Sequence, residues 1–118
     1  MRSHKNLQVW QEAMGLVKEI YEMTRSFPES ERFGLISQMR RSAVSVPSNI
    51  SEGAGRNGNK EFLHFLYIAR GSLCELETQV IIGQQLGFIA EPTSITEKIE
   101  KIFGLLAGLI NSIKSKTI

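Results

Sequence analysis

The residues best suited to chemistry gather in one stretch, Ser45-Val46-Pro47-Ser48-Asn49-Ile50-Ser51-Glu52-Gly53. Helical spacing puts Ser45, Ser48, Asn49 and Glu52 on one side, at i, i+3, i+4 and i+7. A carboxylate set among hydroxyls and an amide can hydrogen-bond a ligand or RNA. In an enclosed pocket it could also move a proton. The simpler reading is a structural polar face on a kinked helix. Ala43, Val46, Ile50 and Ala54 fall on another side of that helix, and Pro47 lacks the N–H that the Ala43 carbonyl would accept. The helix is expected to bend there.

Other chemistries fail on spacing. Metal sites need converging ligands, and the chain has only His4, His64, Cys74 and its glutamates to offer. Glu61-Phe62-Leu63-His64 is one Glu-x-x-His pair without the second that a di-iron bundle requires. No metal and no cofactor is expected. Gly53, Gly55 and Gly58 spell G-x-G-x-x-G, but a helix precedes them instead of a strand, so dinucleotide binding is not implied. Asn59 separates Gly58 from Lys60 and spoils a Walker loop. There is no G-x-S-x-G elbow to activate a serine. Asn49-Ile50-Ser51 is a glycosylation sequon by letter alone. Cys74, a single cysteine in an apolar helical segment, excludes an internal disulfide and reads as a small buried hydrophobe.

Those residues must be positioned by helices. The 118 residues suit one domain spanning 1–118 with an unstapled core, at 42% hydrophobic and 22% charged. All twelve acidic residues are glutamate, which helix interiors tolerate better than aspartate. The first helix is expected over about residues 7–26. Its buried stripe is Trp10, Ala13, Met14, Val17, Ile20, Tyr21 and Thr24, and Phe27-Pro28 ends it with Phe27 tucked under the turn. The second begins near Ser30–Phe33 and continues to Gly53–Gly55. Its stripe of Leu35, Met39, Ala43, Val46, Ile50 and Ala54 keeps phase across Pro47, which favours one bent helix over two short ones. A glycine-rich loop follows, in which Glu61 could cap the next helix from Gly58.

The third helix, about residues 59–86, is the most apolar. Phe62, Phe65, Leu66, Ala69, Leu73, Leu76 and Val80 form its main stripe. Leu63, Tyr67, Cys74 and Ile81 make a second, and Ile68, Ile82 and Leu86 lie on yet another side. A bundle needs one broad apolar face per helix, so the surplus argues for a homo-oligomer. Gly71 reads as a point of close helix approach. After a turn over Gly87–Pro92, Ser94-Ile95-Thr96-Glu97 reads as a capping box. The fourth helix carries Ile95, Ile99, Ile102, Phe103, Leu106, Leu109, Ile110 and Ile113 to about Ser115. Gly104 and Gly108 on it form a small-x-x-x-small pair. The fold class is therefore all-α, an up-and-down four-helix bundle with a proline-kinked second helix.

The nonapeptide 45–53 with Arg56, and Gly71-Ser72-Leu73-Cys74-Glu75-Leu76-Glu77 further on, resemble the four helix bundle protein family. That family includes proteins encoded in intervening sequences of bacterial 23S rRNA genes and is sometimes labelled a ribosomal protein family. Val9-Trp10-Gln11, Phe33-Gly34-Leu35 with Gln38 and Arg40-Arg41, and Glu61-Phe62 also match family positions. The resemblance implies a bundle that assembles as a ring, often a pentamer, and no established activity. The family is in turn similar to the bundle that assists retroelement reverse transcriptases, which points toward a basic ring holding nucleic acid.

Charge adds a location. The net charge is only +2, but residues 32–60 hold Arg32, Arg40, Arg41, Arg56 and Lys60 against Glu52 alone, five minus one, or +4. Arg40, Arg41, Arg56 and Lys60 are the candidate contacts to RNA or DNA. Arg70, Glu75 and Glu77 are candidates for ion pairs between helices or between subunits. A non-enzymatic, oligomeric RNA-binding or accessory module is the expectation. The alternative is a structural homo-oligomer acting through protein contacts, with Ser45, Asn49 and Glu52 fixing register at the subunit contact. The longest apolar run, Ile102–Ile110, is too short to span a bilayer, and no secretory signal pattern is visible, so no membrane role and a cytoplasmic location are expected.

Overall fold

A computed structural model describes residues 4–90 and 94–116. Four helices occupy most of them: α1 (Gln8–Thr24), α2 (Leu35–Ala54), α3 (Asn59–Gln85) and α4 (Ser94–Lys114). Short 3-10 turns at His4–Asn6 and Glu29–Glu31 precede α1 and α2. Each helix packs on its two neighbours in cyclic order, with α4 closing back onto α1 and no diagonal packing among the described residues. Short connections make successive helices antiparallel. The result is the expected up-and-down bundle, 48 Å long and 24 × 20 Å across.

The core follows the apolar spacing. Leu16 and Ile20 of α1, Met39, Val46 and Ile50 of α2, Leu66, Leu73 and Leu76 of α3, and Ile102 and Leu106 of α4 are all fully buried. Phe27 is buried beneath the α1–α2 turn, its ring 5.4 Å from that of Phe88. α2 runs as one helix through the buried Pro47, as its unbroken apolar phase required. At the end of α3 the chain reverses through Gly87, with φ +82°. The Phe88 N–H reaches the Gly83 carbonyl (2.9 Å) and the Gly87 N–H reaches Gln84 (3.1 Å), the paired closing bonds of a Schellman motif.

Polar groups inside the bundle are paired. The Ser42 hydroxyl of α2 lies 2.7 Å from Gln79 Oε1 of α3, both residues buried. The α2–α3 seam is also the tightest. A Cβ added at Gly53 would sit 2.8 Å from Phe65 Cβ and 3.2 Å from the Phe62 carbonyl, so only glycine admits this approach. The α1–α4 seam is bridged by charge. Lys98 reaches Glu19 (3.1 Å) and Glu12 (3.8 Å), Lys101 reaches Glu12 (3.2 Å), and the Ser94 hydroxyl donates to Glu19 (3.1 Å).

Several expectations from spacing are corrected. α1 buries Val9, Ala13, Leu16, Ile20 and Thr24, whereas Met14 (45% exposed) and Tyr21 (39%) face solvent. Apolar residues lie on more than one side of α1, and the phase with the larger aliphatic set faces the core. Cys74 is exposed, on the outer side of α3. Gly71, Gly104 and Gly108 have open space where a side chain would stand, so no helix of the subunit approaches them. Ser94 is the first residue within α4, and its hydroxyl is directed at Glu19; the cap position itself, like residue 92 of the preceding turn, falls outside the described residues.

Candidate nucleic-acid interface

The polar strip of α2 is mainly structural. Ser45 Oγ stands 2.8 Å from Ser72 Oγ of α3, and Asn49 Nδ2 donates to the Ser45 carbonyl and hydroxyl, both at 2.9 Å. Ser45 thus bonds across to α3, and Asn49 bonds back onto Ser45 within α2. Ser48 turns the other way, toward a groove lined by Trp10, Met14, Val17, Val44 and Pro47. Glu52 binds Arg56 at 2.8 Å. The four residues therefore share one helix without forming one site.

The candidate basic residues divide between the two ends of α2. Arg56 lies sixteen positions after Arg40, about 24 Å along the axis at ~1.5 Å per residue. Its charge is taken up locally, by Glu52, by Glu61 at 3.7 Å and by the face of Phe65 at 5.0 Å. It clips the α2–α3 loop. Lys60, exposed in the first turn of α3, has no ion-pair partner among the described residues.

Arg40 and Arg41 sit at the other end, beside the α1–α2 turn. Arg40 is held in place: Nε donates to Thr24 Oγ1 (2.9 Å), Nη2 to the Tyr21 carbonyl (3.2 Å), and the guanidinium stands 4.5 Å over the Tyr21 ring. Thr24 is fixed in turn by donating to the Ile20 carbonyl at 2.8 Å. Neither Arg40 nor Arg41 meets a carboxylate within ion-pair distance among the described residues. Both line an open cleft of about 530 Å³ with Tyr21, Arg32, Phe33, Ile36, Ser37 and Val44. Arg41 also lines a polar groove of about 360 Å³ between α2 and α3, with Gln38, Ser45, Ser72 and Glu75.

Spacing missed the aromatic part of this cleft. Phe33 is 87% exposed, and Tyr21 had been placed in the α1 core stripe. One signal was available: Phe33 falls before the α2 stripe that starts at Leu35 and is out of step with it. The expected ion pairs of Arg70, Glu75 and Glu77 do not form within the subunit. Arg70 stacks over Tyr67 at 4.9 Å, and neither glutamate has a cation within reach among the described residues. Among those residues no three His, Cys or Glu side chains converge as a metal would require.

The deciding comparison is with protein families. The model of the 23S rRNA-intervening sequence protein family matches residues 5–108, which takes in all of α1, α2 and α3 and most of α4. The chain belongs to that family. A search of curated proteins returned no match. In this 23S rRNA-intervening sequence protein no described helix is long and apolar enough to cross a membrane. Its surface instead carries an aromatic and arginine cleft at one end of the bundle, and apolar side chains along α3: Tyr67 (39% exposed), Ile81 (47%) and Ile82 (39%) with Cys74.

Proposed function

We propose that this protein is a non-enzymatic, cytoplasmic RNA-binding module that works as a pentamer-like ring of bundles, with Arg40 and Arg41 as its principal phosphate contacts. The observation that carries this reading is the adjacent arginine pair on α2 with no carboxylate within ion-pair distance among the described residues, one member held in place by Thr24 and Tyr21. A cation without an internal partner retains its full attraction for phosphate, and a fixed guanidinium loses little freedom on binding. Arg56, neutralised by Glu52 and Glu61, contributes little. Lys60 serves as an auxiliary contact at the far end.

The test is binding of RNA at several salt concentrations. Affinity should fall linearly with salt on logarithmic axes. Arg41→Ala should weaken binding several-fold and reduce that slope by about 1, the signature of one lost phosphate contact. An unchanged slope removes Arg41 from the interface, and no association at low salt removes the nucleic-acid reading altogether.

A second reading, a structural homo-oligomer with no nucleic-acid role, is favoured by the exposed apolar strip of α3. Tyr67, Cys74 and Ile81 lie on the outward side of that helix, whereas Leu63, expected on the same stripe, is partly buried against the core. An apolar groove lies elsewhere, between Trp10, Met14 and Val17 of α1 and Val44 and Pro47 of α2. Two unlike patches on one subunit suit a head-to-tail contact, the kind that closes into rings. Asn49 bonds within its own subunit, so the subunit contact falls to the α3 strip in preference to the polar face of α2.

A further inference from the structure

We infer that the cleft at the α1–α2 end takes an unpaired nucleotide, with the base stacked on Phe33 and the flanking phosphates on Arg40 and Arg41, so that the protein selects single-stranded over duplex RNA. The inference rests on the RNA-binding reading and specifies the form of RNA bound.

Phe33 is the most exposed large apolar side chain described. A phenylalanine left in water forgoes about 2 kcal/mol of burial, and no core function accounts for it. It is not loosely held. It follows the 3-10 turn Glu29–Glu31 and precedes Gly34, whose N–H bonds the Glu31 carbonyl at 3.1 Å. The Glu31 carboxylate accepts from the Leu35 N–H, also at 3.1 Å, which ties the entry of α2 to the turn. The ring is thus presented from a braced segment.

Its surroundings are cationic. The Arg32 guanidinium stands 5.3 Å from the ring, and Arg40 and Arg41 line the same cleft. Three acids are near. Glu29 meets Arg32 at 3.5 Å in a weak ion pair exposed on both sides, and Glu31 is engaged by the Leu35 N–H. Glu75 shares a groove with Phe33 and Arg41 without coming within ion-pair distance of an arginine among the described residues. Ser37 adds a hydroxyl to the lining one turn beyond Phe33. An exposed aromatic face beside Arg40 and Arg41, which have no ion-pair partner among the described residues, matches the elements of a base and its phosphates. Paired bases are stacked inside a helix and cannot reach the ring, whereas unpaired bases can. The cleft volume of about 530 Å³ lies within the range of small-ligand sites.

The test uses the full chain with a short single-stranded RNA and a blunt-ended RNA duplex of the same total charge, followed by fluorescence anisotropy at low salt. Phe33→Ala should weaken single-strand binding about tenfold, in line with the ~1–3 kcal/mol that one stacked base contributes. Duplex binding and the salt slope should stay unchanged. Phe33→Trp should restore the single-strand affinity. Circular dichroism on both variants checks that the bundle persists, as expected for a side chain outside the core. Unaltered single-strand affinity in Phe33→Ala, or an equal loss for both RNAs, overturns the stacking inference while leaving RNA binding in place. A change of oligomer mass in Phe33→Ala makes the ring a protein contact and overturns it too. If the unaltered protein binds neither RNA, the RNA-binding reading has failed and this inference with it.

Discussion

Leu73→Ala should lower the stability of the bundle by about 3 kcal/mol, within the ~2–5 kcal/mol range of large-to-small core changes. Leu73 has no accessible surface and sits midway along α3, the longest helix. Both flanking helices pack on α3, so the walls of the new cavity belong to several elements and cannot all collapse. A domain of this size has roughly 5–15 kcal/mol in total, so the loss is a large share of it. Urea unfolding followed by circular dichroism, at matched protein concentration, should show a lower midpoint with an unchanged slope. Gly104→Ala on α4 provides the contrast. That glycine lies in a helix with open space around its missing Cβ, so alanine should add about 0.5–1 kcal/mol. If Leu73→Ala costs less than Gly104→Ala gains, the packing described for α3 is wrong.

The paired substitution Tyr67→Glu and Ile81→Glu should dissociate the proposed oligomer while leaving each bundle folded. Both side chains stand on the outer side of α3, 39% and 47% exposed, where a carboxylate remains solvated in a separate subunit. At a subunit contact the same carboxylates would be desolvated without partners, at several kcal/mol each. Glu77, half-buried and without a cation among the described residues, would add like-charge repulsion. Light scattering should report the mass of one chain in the double variant and a multiple of it in the unaltered protein. A single-chain mass for the unaltered protein would end the ring reading. An undiminished multiple in the variant would move the contact away from α3.

Much of the architecture was legible from apolar spacing because bundle helices bury one phase of a 3.6-residue repeat. Leu35, Met39, Ala43, Val46 and Ile50 carry α2 across Pro47 to an end within a residue of the expected one. The start expected near Ser30–Phe33 comes two to five residues before the observed Leu35, because a 3-10 turn at Glu29–Glu31 precedes the helix. α1 was harder. Trp10, Met14, Val17 and Tyr21 make as good a stripe by letter as Val9, Ala13, Leu16 and Ile20, and only the fit to neighbouring helices selects between them. Cys74 was misplaced for the same reason: on a helix apolar on several sides, composition does not say which side faces inward. The arginines of the candidate site were visible as a local charge excess. What spacing did not reveal was their sorting, since pairing of Arg56 with Glu61 across a loop and pinning of Arg40 by Thr24, sixteen residues away, are tertiary facts. Phe33 marks the expected start of the second helix and part of a family pattern in the sequence; its exposure depends on how the turn before α2 is braced.

The forked contact of Lys98 with Glu12 and Glu19 acts as an index mark for the last helix. Greasy stripes that repeat every three or four residues look much the same after one helix slides past another by a turn, about 5.4 Å. The charges do not. Glu12 and Glu19 are two turns apart on α1, and Lys98, Lys101 and Ser94 meet them together at a single axial setting. Each link alone adds little to stability, yet jointly they tell α4 where along α1 to stop.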